Sequence, residues 1–585
     1  MKTLAFLAHP DSLGLVPADA RVLPLSPHVA IPADRQIAQR PEALLNPEDF
    51  QRIEREARAI AGEWWKGANR GFLAWQSVDL GECFENEFQF VARDLLKGAL
   101  VLEKALDHES PEALFVDVPP AMGKFPVYPY LFGMGSLLKA KAEIANLPLH
   151  SVTTPARPSR AGRRSTLARA YSAMTARQAF ARLRAERPLV AVGPFPESYG
   201  PVARAWSQHD GATVVVGSSR APLRADPAAG LYFTPFEAFL TAQDRREIRA
   251  FTTEALASLA MPGDPATRLR GWELAGPLFL EQVRLRLRDE LFDLACQGTA
   301  FDRGLERAVH VLLMETHTPM AKAALRYARR KGLAASVLQH GVLADPESYR
   351  QTETQRIAAW GVSDAEWFQR NLPPPVRAEA TGNPRYDFLA RRAGTQDHPA
   401  LHDVPDETPV ILFASAPFGH LRASESPWER DRLQNMVLKA ARGIEGALLV
   451  LKRHPSEAPE PLLSRAARDP NDVREVRGGD TFALIRRSAA VLSMGSTVAL
   501  EAMYLDRPAV LLGEPNPQSP FQPPEEGGGL RAHTAEDLAN QVRRLLHDTA
   551  FRERVLDGQR AYLRRAYAPL DGRASERVAT FLRRT

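Results

Sequence analysis

The stretch AAVLSMGSTVALEAM, residues 489–503, joins a strand-like run directly to a helix-like one. The apolar run ends at Ser493, and Gly495 then allows the backbone to turn closely. Ser496 and Thr497 are residue types that begin helices, and the apolar pattern continues beyond Glu501. The stretch therefore predicts a strand, a tight loop and a helix, which is the repeating unit of parallel α/β sheets.

Ten similar β-rich runs alternate with amphipathic stretches elsewhere in the chain. Eleven strands are too many for one ordinary doubly wound sheet, so we predict an α/β fold with two Rossmann-like domains facing a cleft. Amphipathic segments add many helices to the first domain. The other ten predicted strands are TLAFLA (3–8), ALFVDV (113–118), PLVAVG (188–193), ATVVVG (212–217), AVHVLLM (308–314), ASVLQ (335–339), RIAAWG (356–361), PVILFAS (409–415), ALLVLK (447–452) and PAVLLG (508–513).

Two breaks in composition predict the domain organisation: the Pro/Arg segment 155–164 and the polar stretch 391–407. The second break separates the two α/β halves. The expected units are an N-terminal Rossmann-like domain over 1–390 with a sub-boundary near 155–187, a second Rossmann-like domain over 391–572, and a helix over 573–585 that crosses back to the first domain.

Composition excludes several classes of protein. With 585 residues, 44% hydrophobic and 25% charged, the chain matches globular proteins and is neither disordered, collagen-like nor a coiled coil. Its two cysteines, Cys83 and Cys296, form no CxxC pair, which argues against a disulfide framework or a cysteine zinc site. No run approaches the roughly 18 to 20 apolar residues of a membrane span. We expect a cytoplasmic protein, with the inner face of a membrane as an alternative location.

The basic residues are unevenly distributed. The net charge is only +5, but residues 157–187 contain nine arginines and the single acid Glu186. This segment is a candidate for contact with phosphate or an anionic membrane, and a solvated helix face is the alternative. The terminal arginines Arg573, Arg577, Arg583 and Arg584 are further candidates for lipid contact. No nucleic-acid motif occurs, so nucleic acid is not an expected partner.

Two loops in the first half carry candidate acids and bases at the ends of strands. METHTP, residues 314–319, offers Glu315 and His317, although its threonines could simply cap a helix. LQHGVLADP, residues 338–346, places His340 just before a turn at Gly341. An imidazole can accept a proton from a hydroxyl at neutral pH, so His340 is the preferred candidate for a catalytic base.

Two loops in the second half suit a phosphorylated ligand. LKRHPSE, residues 451–457, brings Lys452, Arg453 and His454 to the end of a strand, where cations and an imidazole can meet phosphate oxygens. In the opening stretch, exposed amides at Gly495, Ser496 and Thr497 would begin a helix whose positive end favours a diphosphate. Glu501, one turn further on, could reach a ribose diol.

Four motifs in this order resemble the GT-B glycosyltransferase superfamily: QHG (339–341), GNPRYD (382–387), KRHP (452–455) and LSMGSTVALEAM (492–503). They are most similar to the CDP-glycerol glycerophosphotransferase and the capsule or surface-polysaccharide transferase branches. The resemblance covers about residues 307–515 and implies His340 as base, Lys452 and His454 at the donor phosphates, Ser496 and Thr497 at the diphosphate, and Glu501 at the ribose. Gln339 and Met494 depart from the glycerophosphotransferase pattern, which favours sugar transfer over polyol-phosphate transfer.

The resemblance implies a metal-independent, inverting glycosyltransferase without a cofactor. It would move a sugar from a nucleotide donor to a hydroxyl of a surface polysaccharide, a lipid-linked glycan or a glycoprotein, with Glu315 or His317 assisting His340. Two alternatives remain open. One is a non-hydrolysing UDP-sugar 2-epimerase, which shares the fold and the His-Pro turn. The other is a non-catalytic scaffold built on a nucleotide-sugar fold.

Overall fold

The computed structural model describes most of the chain in ranges separated by gaps. These ranges are 2–27, 29, 31–66, 71–118, 133–152, 179, 181–182, 188–193, 196–217, 226–260, 272–305, 307–343, 349, 352–373, 376–390, 398–415, 427–454, 473–524 and 529–584. Within them lie three parallel sheets and one short antiparallel hairpin. The arginine segment 157–187 lies outside the described residues except at 179, 181 and 182.

The first sheet has four parallel strands and is formed by the N-terminal quarter of the chain. Its two central strands are fully buried, as expected for a parallel sheet covered on both faces. The carboxylate of Asp117 ties their ends together, because it accepts hydrogen bonds from the backbone N–H groups of Ala8 and His9. In spatial order the strands are Arg21–Pro24, Thr3–Leu7, Ala113–Val116 and Leu149–Ser151.

The second sheet has seven parallel strands. The direction in which successive strands are added reverses between Leu189–Val192 and His310–Leu313. In open α/β sheets, ligands bind at the carboxyl ends of the strands at such a reversal. In spatial order the strands are Arg377–Ala380, Arg356–Ala359, Ala334–Leu338, His310–Leu313, Leu189–Val192, Thr213–Gly217 and Leu231–Pro235.

The third sheet has six parallel strands and the same kind of reversal. Its reversal lies between Val410–Ala414 and Ser488–Ser493, so the loop that begins at Met494 follows a strand at the reversal point. In spatial order the strands are Val473–Val476, Leu448–Lys452, Val410–Ala414, Ser488–Ser493, Ala509–Leu512 and Leu530–Ala532.

Helices cover the sheets and join the first two into one core. Glu85–Glu109 is buried along almost its whole length and packs on Pro47–Glu63 and on Trp272–Arg303. One continuous apolar cluster contains Phe6 of the first sheet and Val311 of the second. The other helices are Pro41–Leu44, Met134–Ala145, Pro196–Ser207, Ala242–Ala257, Pro319–Arg330, Val362–Asn371, Asp387–Ala390, Pro427–Ala441, Thr481–Arg487, Thr497–Tyr504, Ala535–His547, Thr549–Ala566 and Ala574–Arg583.

The last helix, Ala574–Arg583, packs on the second sheet although it follows the third in sequence. Val578 and Phe581 belong to the apolar cluster under the strand Leu189–Val192. Asp387 fixes the start of this helix, because its carboxylate accepts hydrogen bonds of 2.8 Å from the backbone N–H groups of Ala574 and Ser575. The chain thus leaves the third sheet and returns to the second, where this contact anchors the last helix.

The predicted α/β architecture is confirmed, since the second and third sheets are Rossmann-like: each is parallel and reverses its strand order once. All eleven predicted strands are present. The structure adds a third parallel sheet: the runs at 3–8 and 113–118 form a sheet of their own and do not join the seven-stranded one. In the described ranges, no helix combines the length and apolarity needed to cross a membrane.

Candidate functional site

Glu315 and His317 lie in the loop that follows the strand His310–Leu313, at the reversal point of the second sheet. The loop is shaped by Thr318, which caps the helix Pro319–Arg330 and whose hydroxyl donates a hydrogen bond of 2.8 Å to Glu315 Oε1. The other carboxylate oxygen, Oε2, lies 3.5 Å from His317 Nε2. The structure thus places a carboxylate and an imidazole side by side at this sheet edge.

His340 follows the neighbouring strand, Ala334–Leu338, and joins the same group. Its side chain reaches solvent, but the surrounding protein lowers the pKa of the imidazole. The negative charge of Glu315 opposes that shift, and His317 adds to it. Burial raises the pKa of Glu315 and lowers that of His317. Glu315, His317 and His340, which we call the acid–base cluster, are therefore brought together, with the imidazole of His340 favoured in its neutral, proton-accepting form.

Gln339 holds the turn that presents His340. Its side-chain amide donates to the backbone oxygen of Gly341 at 2.8 Å and to Asp364 Oδ2 at 2.9 Å. Its Oε1 accepts from the backbone N–H of Trp360 at 2.9 Å. Gln339 is fully buried, so these bonds fix the backbone on either side of His340. The glutamine that departs from the resembled pattern is thus a positioning residue in this chain.

Asp364, the partner of Gln339, was missed by the sequence analysis. It is completely buried in the first turn of the helix Val362–Asn371, and burial raises the pKa of its carboxyl to about 7. A signal was available, because Asp364 comes shortly after the predicted strand at 356–361, where functional residues of α/β sheets occur. Its connection to Gln339 depends on tertiary contact and could not be inferred from spacing.

The glycine loop of the third sheet, residues 494–497, follows the strand Ser488–Ser493. Gly495 has a φ of +82°, in the left-handed region that favours glycine. The hydroxyls of Ser493 and Ser496 lie 2.9 Å apart, and the backbone N–H of Ser496 donates to Ser493 Oγ at 3.1 Å. Ser496 precedes the eight-residue helix Thr497–Tyr504, with no hydrogen bond from its own side chain to the cap. The predicted strand, loop and helix are all present.

The glycine loop meets the loop that carries His340. The backbone N–H of Val342 donates a hydrogen bond to Thr497 Oγ1 at 3.3 Å. Close by, Ser519 Oγ donates to the backbone oxygen of Leu343 at 2.6 Å. The carboxyl edges of the second and third sheets therefore face each other, and the acid–base cluster and the glycine loop border the same region.

The basic turn after Leu448–Lys452 contains Lys452, Arg453 and His454. Lys452 is 8% exposed and burial lowers its pKa. Arg453 is also buried, and its Nε lies 3.3 Å from Glu475 Oε1 on the neighbouring strand. His454 is exposed, and its pKa is lowered by the surrounding protein and by the charges of Lys452 and Arg430. Lys452 and Arg430 thus form a positive group beside the imidazole of His454, which is favoured in its neutral form, whereas Arg453 has a partner within the protein.

Arg430 belongs to this positive group and was not anticipated. It lies on the helix Pro427–Ala441, more than twenty residues before His454, and its charge acts on that imidazole. No sequence motif around Arg430 indicates a role for it. Only the packing of the helix against the third sheet brings it near the basic turn.

Glu501 lies one turn into the helix Thr497–Tyr504, but its carboxylate faces protein. It is 3% exposed, and Oε1 accepts a hydrogen bond of 3.2 Å from the hydroxyl of Tyr386. Burial raises its pKa to about 7, while Arg385 acts in the opposite direction. The GNPRYD motif, residues 382–387, thus contacts this helix through its tyrosine. The ribose role implied for Glu501 stays a prediction, and the structure gives this carboxylate an internal partner.

The four terminal arginines all have acidic partners within the chain. Their guanidinium groups hold the C-terminal helix to the second sheet and to its own first turn, as described for surface ion pairs. The pairs are Arg573 with Glu576, Arg577 with Asp571, Arg583 with Asp210 and Arg584 with Glu379. Lipid contact by these arginines would compete with existing ion pairs.

Metal ligation has no evident place in the described parts of the chain. In those ranges, no group of three or more His, Cys, Asp or Glu side chains could hold a metal ion. The pair formed by Glu315 and His317 has only two such side chains at its centre. The expectation that the reaction needs no metal and no cofactor therefore stays a prediction.

Comparisons with known proteins give structural likeness only. No protein-family model and no curated protein matches the chain. A putative UDP-N-acetylglucosamine 2-epimerase from Listeria monocytogenes is 14% identical with a TM-score of 0.42, over 67% of this chain and 95% of that one. Sucrose-phosphate synthase from Thermosynechococcus elongatus is 12% identical with a TM-score of 0.41, over 68% of this chain and 98% of that one. Os79 from O. sativa, solved in complex with UDP, is 13% identical with a TM-score of 0.40, over 67% and 100%. All three TM-scores are below 0.5, so the activities of these proteins are not transferred to this chain.

Proposed function

We propose that this protein is a glycosyltransferase that moves a sugar from a nucleotide-activated donor to a hydroxyl of an acceptor. The observation that carries the proposal is the hydrogen bond between Val342 and Thr497. It joins the loop of a candidate base to the loop of a candidate diphosphate site. Both loops follow strands beside the reversal points of their sheets, where ligands of α/β proteins bind.

The glycine loop supplies the donor side of the proposal. The backbone N–H groups at the start of the helix Thr497–Tyr504 can donate hydrogen bonds to diphosphate oxygens, and so can the hydroxyl of Ser496. Lys452 adds positive charge on the same sheet, and the imidazole of His454 can donate an N–H to a phosphate oxygen. Because these groups can neutralise the leaving diphosphate, the proposed reaction requires no divalent cation.

His340 supplies the base. In the proposed step, its imidazole accepts the proton of the acceptor hydroxyl, and the oxygen forms a bond to the anomeric carbon of the donor. The bond from that carbon to the nucleotide diphosphate breaks, and its electron pair leaves with the phosphate oxygen. Attack opposite to the leaving group inverts the anomeric carbon. The negative charge of Glu315 stabilises the imidazolium that forms, whereas the proposed part of His317 is limited to orienting His340.

Arg453 and Glu501 have no direct part in this mechanism. Arg453 is buried beside Glu475, and Glu501 is buried beside Tyr386. We assign both to support of the loops: Arg453 holds the basic turn to its neighbouring strand, and Glu501 holds the first turns of the helix Thr497–Tyr504.

The expected acceptors are a surface polysaccharide, a lipid-linked glycan or a glycoprotein, in keeping with a cytoplasmic enzyme of cell-envelope synthesis.

The test combines nucleotide binding with analysis of products. Wild-type protein and the His340→Gln variant are titrated with UDP, CDP and GDP by calorimetry, and then incubated with the matching nucleotide sugars and candidate glycan acceptors. We expect one nucleotide to bind both proteins. Only wild type should convert the matching nucleotide sugar into free nucleotide and a glycoside. Conversion of the donor to its C2 epimer would identify the epimerase instead, and absence of all nucleotide binding would leave the scaffold.

A further inference from the structure

A cavity of about 910 Å³ lies along the helix Pro319–Arg330, outside the region between the second and third sheets. One wall is the face of this helix that carries Lys322, Arg326 and Arg329. The opposite wall is formed by the N-terminal unit, chiefly residues 77–85. Its volume falls within the range of small-molecule sites, about 300–1,000 Å³, but its lining is charged where most such sites are apolar.

Five cationic and four carboxylate side chains line this cavity, and most of the carboxylates are already engaged. Arg326 binds two of them, with Nη1 2.6 Å from Glu82 Oε2 and Nη2 2.5 Å from Glu353 Oε1. Asp79 accepts a hydrogen bond from the backbone N–H of Gly81 at 2.9 Å. Burial raises the pKa of Glu85, which disfavours its charged form. Arg330 is also engaged, by Asp302 and by the backbone oxygen of Gln76. The capacity for a ligand therefore lies with Lys322 and Arg329.

Lys322 is the cation with the clearest capacity for a ligand. It is 3% exposed, and among the described residues its Nζ donates one hydrogen bond, to Asn86 Oδ1 at 3.2 Å. An ammonium group carries three N–H donors, and burying them without acceptors is unfavourable. Burial lowers the pKa of Lys322, and the charges of Glu85 and Glu353 oppose that shift without forming a described hydrogen bond to it. An anionic group in the cavity would supply the missing acceptors.

Arg329 lies at the exposed end of the same face. It is 63% exposed, and one guanidinium nitrogen donates to the backbone oxygen of Glu353 at 3.0 Å. Seven residues separate it from Lys322, which corresponds to about 10 Å along a helix. That spacing suits an elongated ligand with polar groups at both ends better than a single ion.

We propose that this cavity is a second ligand site, which holds an elongated, hydroxylated molecule bearing a carboxylate or phosphate, with the acidic group at Lys322 and the other end at Arg329. The row of ion pairs formed by Arg326 provides donors and acceptors for hydroxyl groups between the two ends. The site is separate from the glycine loop. It does not depend on the proposed transfer reaction, since it would bind its ligand whether or not His340 acts as a base.

The test measures binding of three probes to the full chain by calorimetry: methyl glucuronide for a carboxylate, inorganic phosphate, and methyl glucoside as the neutral control. Two pocket variants are Lys322→Met, which keeps the apolar stem, and Arg329→Glu, which is exposed and so tolerates substitution. Arg370→Glu, at a residue that is 71% exposed on another helix, is the matched control. Thermal unfolding and UDP titration of each variant report on folding and on the donor site.

We expect at least one acidic probe to bind wild type and Arg370→Glu equally, and the neutral probe not to bind. Loss of a charge-assisted contact should weaken that binding by about tenfold or more in each pocket variant. The carboxylate and phosphate arms then show which acidic group is preferred. If Lys322→Met does not fold, Arg329→Glu decides alone. The proposal is overturned if no acidic probe binds wild type, or if both pocket variants bind it unchanged. If UDP binds and no acidic probe does, only the proposal of this second site fails. If an acidic probe binds and UDP does not, only the proposed donor site is contradicted.

Discussion

The side-chain amide of Gln339 donates a hydrogen bond of 2.9 Å to the buried carboxylate of Asp364. The same amide nitrogen donates to the backbone of Gly341, so the turn that presents His340 is fixed to the helix Val362–Asn371. A charged carboxylate in this position lacks solvent, and burial raises its pKa to about 7. The position of the candidate base thus depends on a group that titrates near neutral pH.

Asp364→Asn tests this dependence through stability. In the folded protein Asp364 keeps its proton to a higher pH than in the unfolded chain, where an aspartate has a pKa of about 3.9. This contribution to stability is therefore present below pH about 4 and is lost as pH rises towards about 7. In urea unfolding, the free energy of unfolding of Asp364→Asn relative to wild type should be higher at pH 8 than at pH 5. Asp557→Asn, at a side chain 74% exposed, is the control and should show no such change. An equal difference at both pH values would contradict the assignment.

Thr497→Val tests the contact between the two sheets. The substitution keeps the shape of the side chain but removes the acceptor for the Val342 N–H, which should cost about 1 kcal/mol of stability. Because this contact aligns the two halves of the proposed site, turnover should fall by more than nucleotide affinity does. Thr253→Val, on an exposed helix position, provides the comparison in both urea unfolding and steady-state kinetics. Full activity in Thr497→Val would mean that the contact does not align the site.

Glu315→Gln tests the electrostatics of the base. The surroundings lower the pKa of His340, so the acidic limb of the kcat/KM profile should lie below the ordinary histidine value of about 6.5. Removing the Glu315 charge, which favours the imidazolium, should move this limb to still lower pH. His402→Gln, at an exposed histidine, should leave the profile unchanged. A limb that stays in place would separate Glu315 from the base.

Lys452→Met tests the positive group of the donor side. Loss of a charge-assisted hydrogen bond to a phosphate should weaken nucleotide diphosphate binding by about tenfold or more. Binding of the uncharged nucleoside should not change, because the contact is to phosphate. Lys439→Met, at an exposed lysine of the helix Pro427–Ala441, controls for loss of net charge. Equal affinity of wild type and Lys452→Met for the diphosphate would exclude this lysine from the donor site.

Glu501→Gln separates a structural role from ribose binding. Glutamine can still accept the hydrogen bond from Tyr386, so the variant should fold and bind nucleotide within about twofold of wild type. Glu501→Ala leaves the tyrosine hydroxyl unpaired and opens a cavity, which should cost about 2 kcal/mol or more. Calorimetry and urea unfolding measure the two effects separately. Loss of nucleotide binding in Glu501→Gln, with stability intact, would restore the ribose contact.

The interior of each sheet could be predicted from the sequence, and the edges could not. All eleven predicted strands are interior strands, buried on both faces, which makes them continuous apolar runs. The six missed strands of the parallel sheets are the six sheet edges, and the two short strands of the antiparallel hairpin were missed as well. Edge strands have only one neighbouring strand, so their apolar runs are shorter and their residues are more polar, as in Arg377–Ala380 and Val473–Val476. The four-stranded first sheet was not recognised as a separate sheet for the same reason, since only its two interior strands were predicted.

The site divides in a similar way. Residues at the ends of interior strands, such as His340 and Ser496, follow from strand prediction and helix-start chemistry. Residues that act through packing do not: Arg430 and Lys322 lie within amphipathic helices, where a charged residue ordinarily faces solvent. Their surroundings are decided by which surface the helix meets. Glu501 has a contact that its motif does not predict, because packing gives its carboxylate a hydrogen bond from Tyr386, while its ribose role stays a prediction.

The return of the C-terminal helix has a consequence for dissecting the molecule. Val578 and Phe581 fill an apolar surface of the second sheet, although almost two hundred residues separate them from its last strand. A fragment that ends before Ala574 would expose that surface, and a fragment that begins at the third sheet would carry an apolar helix with nothing to cover. No single cut of the chain therefore yields two self-sufficient halves. Co-expression of two overlapping pieces, or of the second sheet with the last helix fused to it, is the route to studying either half alone.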